Sequence, residues 1–146
     1  MKRFALILAG VMMVVPMVSQ AEAGQVAQVS SRSAYIDFSN YAAVAYSPST
    51  GAYGYAWNCD SRGEAEAVAL SNCSGGDARI VGWVQGGWLV LAIGENNSYG
   101  VGYEYGNGAD NAVAGERAMD ECTSHGDHVR MVIVLSSGDI DPVIYT

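Results

Sequence analysis

From Tyr41 onward the alternation of apolar and polar positions runs through one pattern twice. Residues 41–46 read as an apolar strand, Ser47-Pro48-Ser49-Thr50-Gly51 as a hairpin loop and residues 53–58 as an aromatic strand returning from it. Ser61-Arg62-Gly63-Glu64 is a capping box that starts a helix, in which the serine oxygen accepts from the Glu64 amide and the Glu64 carboxylate reaches back to the serine amide. Ala65, Val68, Ala69 and Cys73 then recur at helical spacing, an apolar stripe of mostly small residues suited to close packing on a sheet. Residues 79–85 form the third strand. The second copy repeats that order with a strand over 88–93, the loop Glu95-Asn96-Asn97-Ser98, an aromatic strand over 99–105, a helix capped by Asp110 and ending near Cys122, and a strand over 130–135. Gly86-Gly87 between the copies reads as a two-residue hairpin turn with positive φ. The fold predicted is α+β: two pseudo-symmetric ββαβ repeats (41–87 and 88–135) in one small domain with an antiparallel sheet and two helices. Residues 136–146 are a tail, in which Asp139 to Thr146 either adds an edge strand or trails.

The start of the chain follows a different pattern. Lys2 and Arg3 precede an apolar run from Phe4 to Val18, and Ala21-Glu22-Ala23 offers small residues at the two positions a signal peptidase reads. The apolar run is short for a membrane span, which needs roughly 20 residues. Residues 1–23 are therefore expected to be a signal peptide, residues 24–40 a flexible lead-in, and the protein to be secreted or periplasmic with no membrane span after cleavage. Tyr35-Ile36-Asp37-Phe38 would make the first contact with the folded body.

Export changes how charge and cysteine are read. The formal net charge is −8, and losing Lys2, Arg3 and Glu22 with the leader makes it more negative and removes the only lysine. Such a field opposes binding to nucleic acid or anionic lipid and attracts a cationic protein or peptide. Acidity also simply keeps an exported protein soluble. Cys59, Cys73 and Cys122 face an oxidising space, where one disulfide and one leftover thiol is the simplest arrangement. Cys59 and Cys73 bracket a helix that holds their Cα atoms about 15 Å apart, too far to bridge. Cys73 and Cys122 end their helices at matching places, so helices side by side would let that pair form the disulfide.

Chemistry is harder to find. Tyr53, Tyr55 and Trp57, and likewise Tyr99, Tyr103 and Tyr105, project to one face of their strands, while Gly54, Ala56, Gly100 and Gly102 leave the other nearly bare. Helices on the bare face would leave the aromatic face outside for glycan stacking or protein contact; helices on the aromatic face would make the rings core. The run Cys122-Thr123-Ser124-His125-Gly126-Asp127-His128 resembles a metal or thiol site, but both histidines lie in one short loop, and a catalytic cysteine prefers the start of a helix, not its end. A loop that ends the helix accounts for it, and no metal is assigned. Glu95 and Glu104 flank one strand, but a glycosidase needs a second positioned carboxylate across a groove, and no catalytic residue is assigned. Gly106-Asn107-Gly108 has neither the basic residue of a P-loop nor dinucleotide spacing, so no cofactor is assigned.

Residues 43–51 (Ala-Val-Ala-Tyr-Ser-Pro-Ser-Thr-Gly), Tyr53-Gly54-Tyr55 and the run from Ser61 through Ala67 to Cys73 resemble the bacterial exported family called domain of unknown function 4189, over about 41–135. The resemblance implies export and an α+β repeat fold, and it supplies no established catalytic residue. Family members usually have further cysteines before the third strand and near the start of the second copy, where this chain has Ala78 and Gly87-Trp88; the family pairing does not carry over. Two classes of function remain: a non-catalytic interaction module for a cationic extracellular or envelope protein or a glycan, through Tyr53, Tyr55, Trp57, Tyr99, Tyr103 and Tyr105, or a small secreted hydrolase with an acidic site. A structural envelope component is a third reading.

Overall fold

The computed structural model describes residues 39–106, 109–124 and 128–146; the expected signal peptide and most of the lead-in lie outside them. The elements follow the repeat. The first copy supplies β1 (Tyr41–Ser47), β2 (Ala52–Cys59), α1 (Arg62–Asn72) and β3 (Arg79–Gln85). The second supplies β4 (Gly87–Gly94), β5 (Tyr99–Tyr105), α2 (Asn111–Thr123) and β6 (Val129–Ser136), and β7 (Val143–Ile144) follows. Each copy is a ββαβ unit, and the domain is α+β.

Each copy builds its own antiparallel sheet, in the orders β2-β1-β3 and β5-β4-β6-β7. The two registers match closely. Tyr46 lies opposite Tyr53 and Arg79 in the first sheet, as Ile93 lies opposite Tyr99 and Arg130 in the second. Even the irregularity recurs, between Val44 and Ala45 in β1 and between Leu91 and Ala92 in β4. A bulge at the same step in both copies is a built feature that bends both third strands alike.

The Gly86-Gly87 hairpin expected from sequence is not formed. β3 pairs with β1, and both edges of β4 are taken by β5 and β6, so the chain crosses from one sheet to the other at Gly86 (φ 63°) instead of doubling back. The local signal for positive φ was sound, but a glycine in that conformation serves a crossing as well as a turn. The crossing is bonded to both flanks: the Gly86 amide donates to Asn40 O at 3.3 Å, and the Gly106 amide donates to Gly86 O at 3.1 Å.

Two sheets, not one, also decide where the aromatic faces go. Ala42, Val44 and Tyr46 of β1 meet Leu89, Leu91 and Ile93 of β4 in a central core, and Tyr53, Tyr55, Trp57, Tyr99 and Val101 pack against it. The helices cover the bare outer faces. Ala65, Ala69 and Cys73 join Ala43, Ala45 and Ala56 in one outer cluster; Ala114, Ala118 and Cys122 join Val90 and Ala92 in the other. A side chain at Gly54 would run into the Ala69 carbonyl and the Cys73 amide, and one at Gly100 into the Ala118 carbonyl and the Cys122 amide. The result is a helix-sheet-sheet-helix sandwich.

That layering corrects the expected Cys73–Cys122 disulfide. The helices lie on opposite outer faces, so Cys73 and Cys122 are separated by both sheets, whose spacing alone is about 10 Å, against the 4.4–6.8 Å Cα separation of a disulfide. All three cysteines are free and buried. Burial first, then nearby carboxylates, raises the thiol pKa of Cys59 (Glu64, Asp60) and of Cys73 (Asp77), which disfavours the reactive thiolate. We expect the intact mass to be unchanged by reduction and native thiols to alkylate slowly, all three reacting at once in denaturant. A loss of two hydrogens recovered on reduction would contradict this arrangement.

The caps form largely as expected. Ser61 Oγ accepts from the Glu64 amide at 3.2 Å, but the Glu64 carboxylate reaches the Asp60 amide at 3.2 Å, one residue before the serine. Asp110 accepts from the Ala112 amide at 2.8 Å. The tail adds a strand, with Ile144 and Val143 pairing with Ile133 and Val134. No helix among the described residues is long and apolar enough to cross a membrane.

Candidate functional site

One end of the sandwich gathers the β1–β2 and β4–β5 loops and the starts of β3 and β6. Their conformations are fixed by short-range bonds. The Gly51 amide donates to Ser47 O at 2.8 Å with Gly51 at φ 71°, and the Asn97 amide donates to Gly94 O at 3.1 Å with Asn97 at φ 56°. Tyr46 of the first copy donates its hydroxyl to the Asn97 carbonyl of the second at 3.0 Å. Burial first, with Cys122 and Asp77 adding, raises the Tyr46 phenol pKa and keeps it a neutral donor. This bond ties the loops of the two copies together.

A second lock holds the β1–β2 loop. Ser47 donates to the Asp77 carboxylate, Ser49 Oγ does so at 2.7 Å and the Ser49 amide at 3.1 Å. Those bonds, the Ser47 hydroxyl first, lower the Asp77 pKa. A depressed folded-state pKa contributes stability that is present above the unfolded value of about 3.9 and is lost as pH falls through the folded value. Acidification below about pH 4 should therefore lower the melting temperature of the wild type through Asp77. In Asp77→Asn that component is absent, so the two melting curves converge at low pH; parallel curves down to pH 2 would show that the lock has no such role.

Between the loops lies a cleft of about 630 Å³ lined by Thr50, Tyr53, Glu95, Asn97, His128 and Arg130. Three non-glycine residues among those described have positive φ, and two of them, Asn97 and His128 (φ 57°), line it. Backbone strain of this kind collects where a loop must hold a side chain in place. His128 Nδ1 is 3.5 Å from Glu95 Oε2, and both side chains are largely exposed. The cleft thus brings together an aromatic ring, an amide, a hydroxyl, a carboxylate and a guanidinium.

A smaller hollow of about 290 Å³ lies on the other side of Asn97, lined by Pro48, Arg79, Ser98, Tyr99 and Glu121. It is the internal counterpart of the cleft. In each, an arginine at the first or second position of the third strand of one copy stands with a tyrosine at the first or second position of the second strand of the other: Arg130 with Tyr53, and Arg79 with Tyr99. A third hollow, of about 400 Å³, lies outside α2 between Met119 and Met131 and brings no aromatic ring or side-chain amide together.

The aromatic residues singled out from sequence are therefore distributed over several environments. Tyr53 lines the cleft, and Tyr99 lines the smaller hollow with its ring 5.1 Å from that of Tyr46. Tyr55 and Trp57 pair at 6.0 Å against the central core. Tyr103 and Tyr105 pair at 5.3 Å and are exposed, at 43% and 56%. Sequence reasoning missed Thr50, Asn97 and Arg130. The matched positions of Arg79 and Arg130 in the repeat were the available signal.

Glu95 and Glu104 do not converge. Glu95 sits at the cleft, whereas Glu104 lies opposite Trp88 at the far end of β5 and is paired with Arg117. The length of β5 separates them, roughly 20 Å at about 3.4 Å per residue, twice the span of a glycosidase pair. Of the cysteine-histidine loop, residues 125–127 lie outside the described residues, and no group of three His, Cys, Asp or Glu side chains suited to a metal ion occurs among those described.

Fold and site define a duplicated domain of two face-packed ββαβ units whose loops enclose a polar cleft at one end. The family described as domain of unknown function (DUF4189) matches residues 41–135, most of the chain, and this protein belongs to it. No curated protein and no solved structure matches the chain.

Proposed function

We propose that the protein is a non-catalytic binding module, secreted or periplasmic, and that the loop-end cleft takes a glycan. The carrying observation is the composition of the cleft, which the Tyr53 ring lines together with the Asn97 amide, Glu95 and Arg130. An aromatic face for the apolar side of a sugar ring, with planar polar groups around it for hydroxyls, is the chemistry a saccharide requires. The volume suits one or two sugar units.

A second reading rests on a different surface. Glu116, Asp120 and Glu121 are exposed along α2 in a chain with net charge −8, a surface that favours a cationic protein partner. One experiment separates the two. Immobilised protein is loaded with solubilised envelope material and washed with a salt gradient, then with free sugars. The glycan reading predicts retention through salt and release by sugar; release of a basic protein at modest salt would replace it with the electrostatic reading.

A further inference from the structure

We infer that the sugar unit held in the cleft is zwitterionic, with its carboxylate on Arg130 and its ammonium group on Glu95. The inference rests on the glycan reading above and is carried by a difference between the two related hollows. In the smaller one both charged groups are used by the protein itself. Arg79 Nη2 donates to Tyr99 Oη at 3.4 Å with its guanidinium 5.8 Å from the ring centre, and Glu121 Oε2 accepts from the Val101 amide at 2.7 Å.

In the larger cleft neither charge is used that way. Four arginines lie among the described residues. Arg62 pairs with Glu66 at 2.6 Å and covers the Trp83 ring, Arg117 pairs with Glu104, and Arg79 lies over Tyr99. Of these four arginines Arg130 alone has no side-chain hydrogen bond or ion pair among the described residues, in a chain that is short of cations. Among the described residues Glu95 is paired only with His128, at 3.5 Å and with both side chains largely exposed.

A ligand with a single charge would meet one of these groups favourably and the other unfavourably. A ligand with both charges satisfies both, while the Tyr53 ring takes its apolar face. The duplication thus leaves one hollow filled from within and the other open to ligand.

The test is an amide-detected NMR titration of the purified protein at neutral pH with four saccharides. Muramic acid has the amine and the carboxylate, N-acetylmuramic acid the carboxylate alone, glucosamine the amine alone, and N-acetylglucosamine neither. Muramic acid should bind tightest, with about a threefold loss on removing either charge and about tenfold on removing both, the size of partly exposed ion pairs. Arg130→Gln should abolish the preference for muramic acid over glucosamine, and Glu95→Gln that for muramic acid over N-acetylmuramic acid. Glu121→Gln, in the filled hollow, should leave all four affinities unchanged. Both cleft side chains are exposed, so retained melting temperatures are expected and confirm that the fold is intact. N-acetylglucosamine binding as tightly as muramic acid would overturn the zwitterion and leave the glycan reading standing; binding of none of the four would overturn both.

Discussion

Replacing Gly102 with valine should cost about 3 kcal/mol, the upper part of the range for overpacking, and lower the melting temperature by roughly 10–15 °C. A Cβ at this position would meet the Ala114 carbonyl and the Ala118 amide, which are helix backbone and cannot rotate aside as a side chain would. The substitution must push α2 off β5, which opens the outer cluster of Ala114, Ala118, Cys122, Val90 and Ala92. Gly63→Ala is the control. Nothing lies within 4 Å of a Cβ there, and alanine is the better helix former, so stability should hold or rise by up to about 0.5 kcal/mol. A Gly102→Val protein that melts like wild type would mean that the bare face of β5 is not where α2 packs.

Tyr53→Ala should raise the Kd for a bound glycan at least about tenfold, which is about 1.4 kcal/mol and modest for an aromatic anchor at the centre of a contact. Tyr103→Ala should leave the Kd unchanged. Tyr103 is the more exposed ring, and exposure alone would make it the better candidate. It stands near the far end of β5, where it opposes Leu89, away from Asn97, Glu95 and Arg130. Equal losses in the two variants, measured by calorimetry with the melting temperature checked for each, would move the contact from the cleft to the aromatic strand face.

The fold was largely legible because both local signals of the sequence were strong and occurred twice. The strand alternation that sets Tyr53 and Tyr55 against Gly54 and Ala56, and the helical spacing of Ala65, Ala69 and Cys73, each fix one element and one face. What they do not fix is the partner of that face. The bare side was matched correctly to a helix of small residues as one of two readings, but the bulky side was offered only helix or solvent; Tyr53, Tyr55, Trp57 and Tyr99 pack against the core between the two sheets instead, and only Tyr103 and Tyr105 stay exposed. Gly86-Gly87 and Cys73/Cys122 miscarried for the same reason. Positive φ at Gly86 is needed for a turn and for a crossing alike, and equivalent cysteines in two copies are adjacent only when the copies lie side by side.

The site was less legible than the fold. Its residues come from Thr50 and Tyr53 in one copy and Glu95, Asn97, His128 and Arg130 in the other, and no short stretch of sequence contains them. Asn97 is one asparagine in a polar turn, and its position in the cleft follows from a φ of 56° and from the Tyr46 hydroxyl bond to its carbonyl. Arg130 looked like the polar end of an apolar strand. Only the contrast with Arg79, which lies over Tyr99, marks it as a guanidinium without a partner among the described residues.

The most direct test of the account is to map amide shift changes during a titration of the labelled protein with an oligosaccharide that it retains. Changes concentrated on Thr50, Gly51, Tyr53, Glu95, Asn97, His128 and Arg130 are the result predicted for a loop-end glycan site. Changes concentrated on Tyr103 and Tyr105, or along the acidic face of α2, would contradict it.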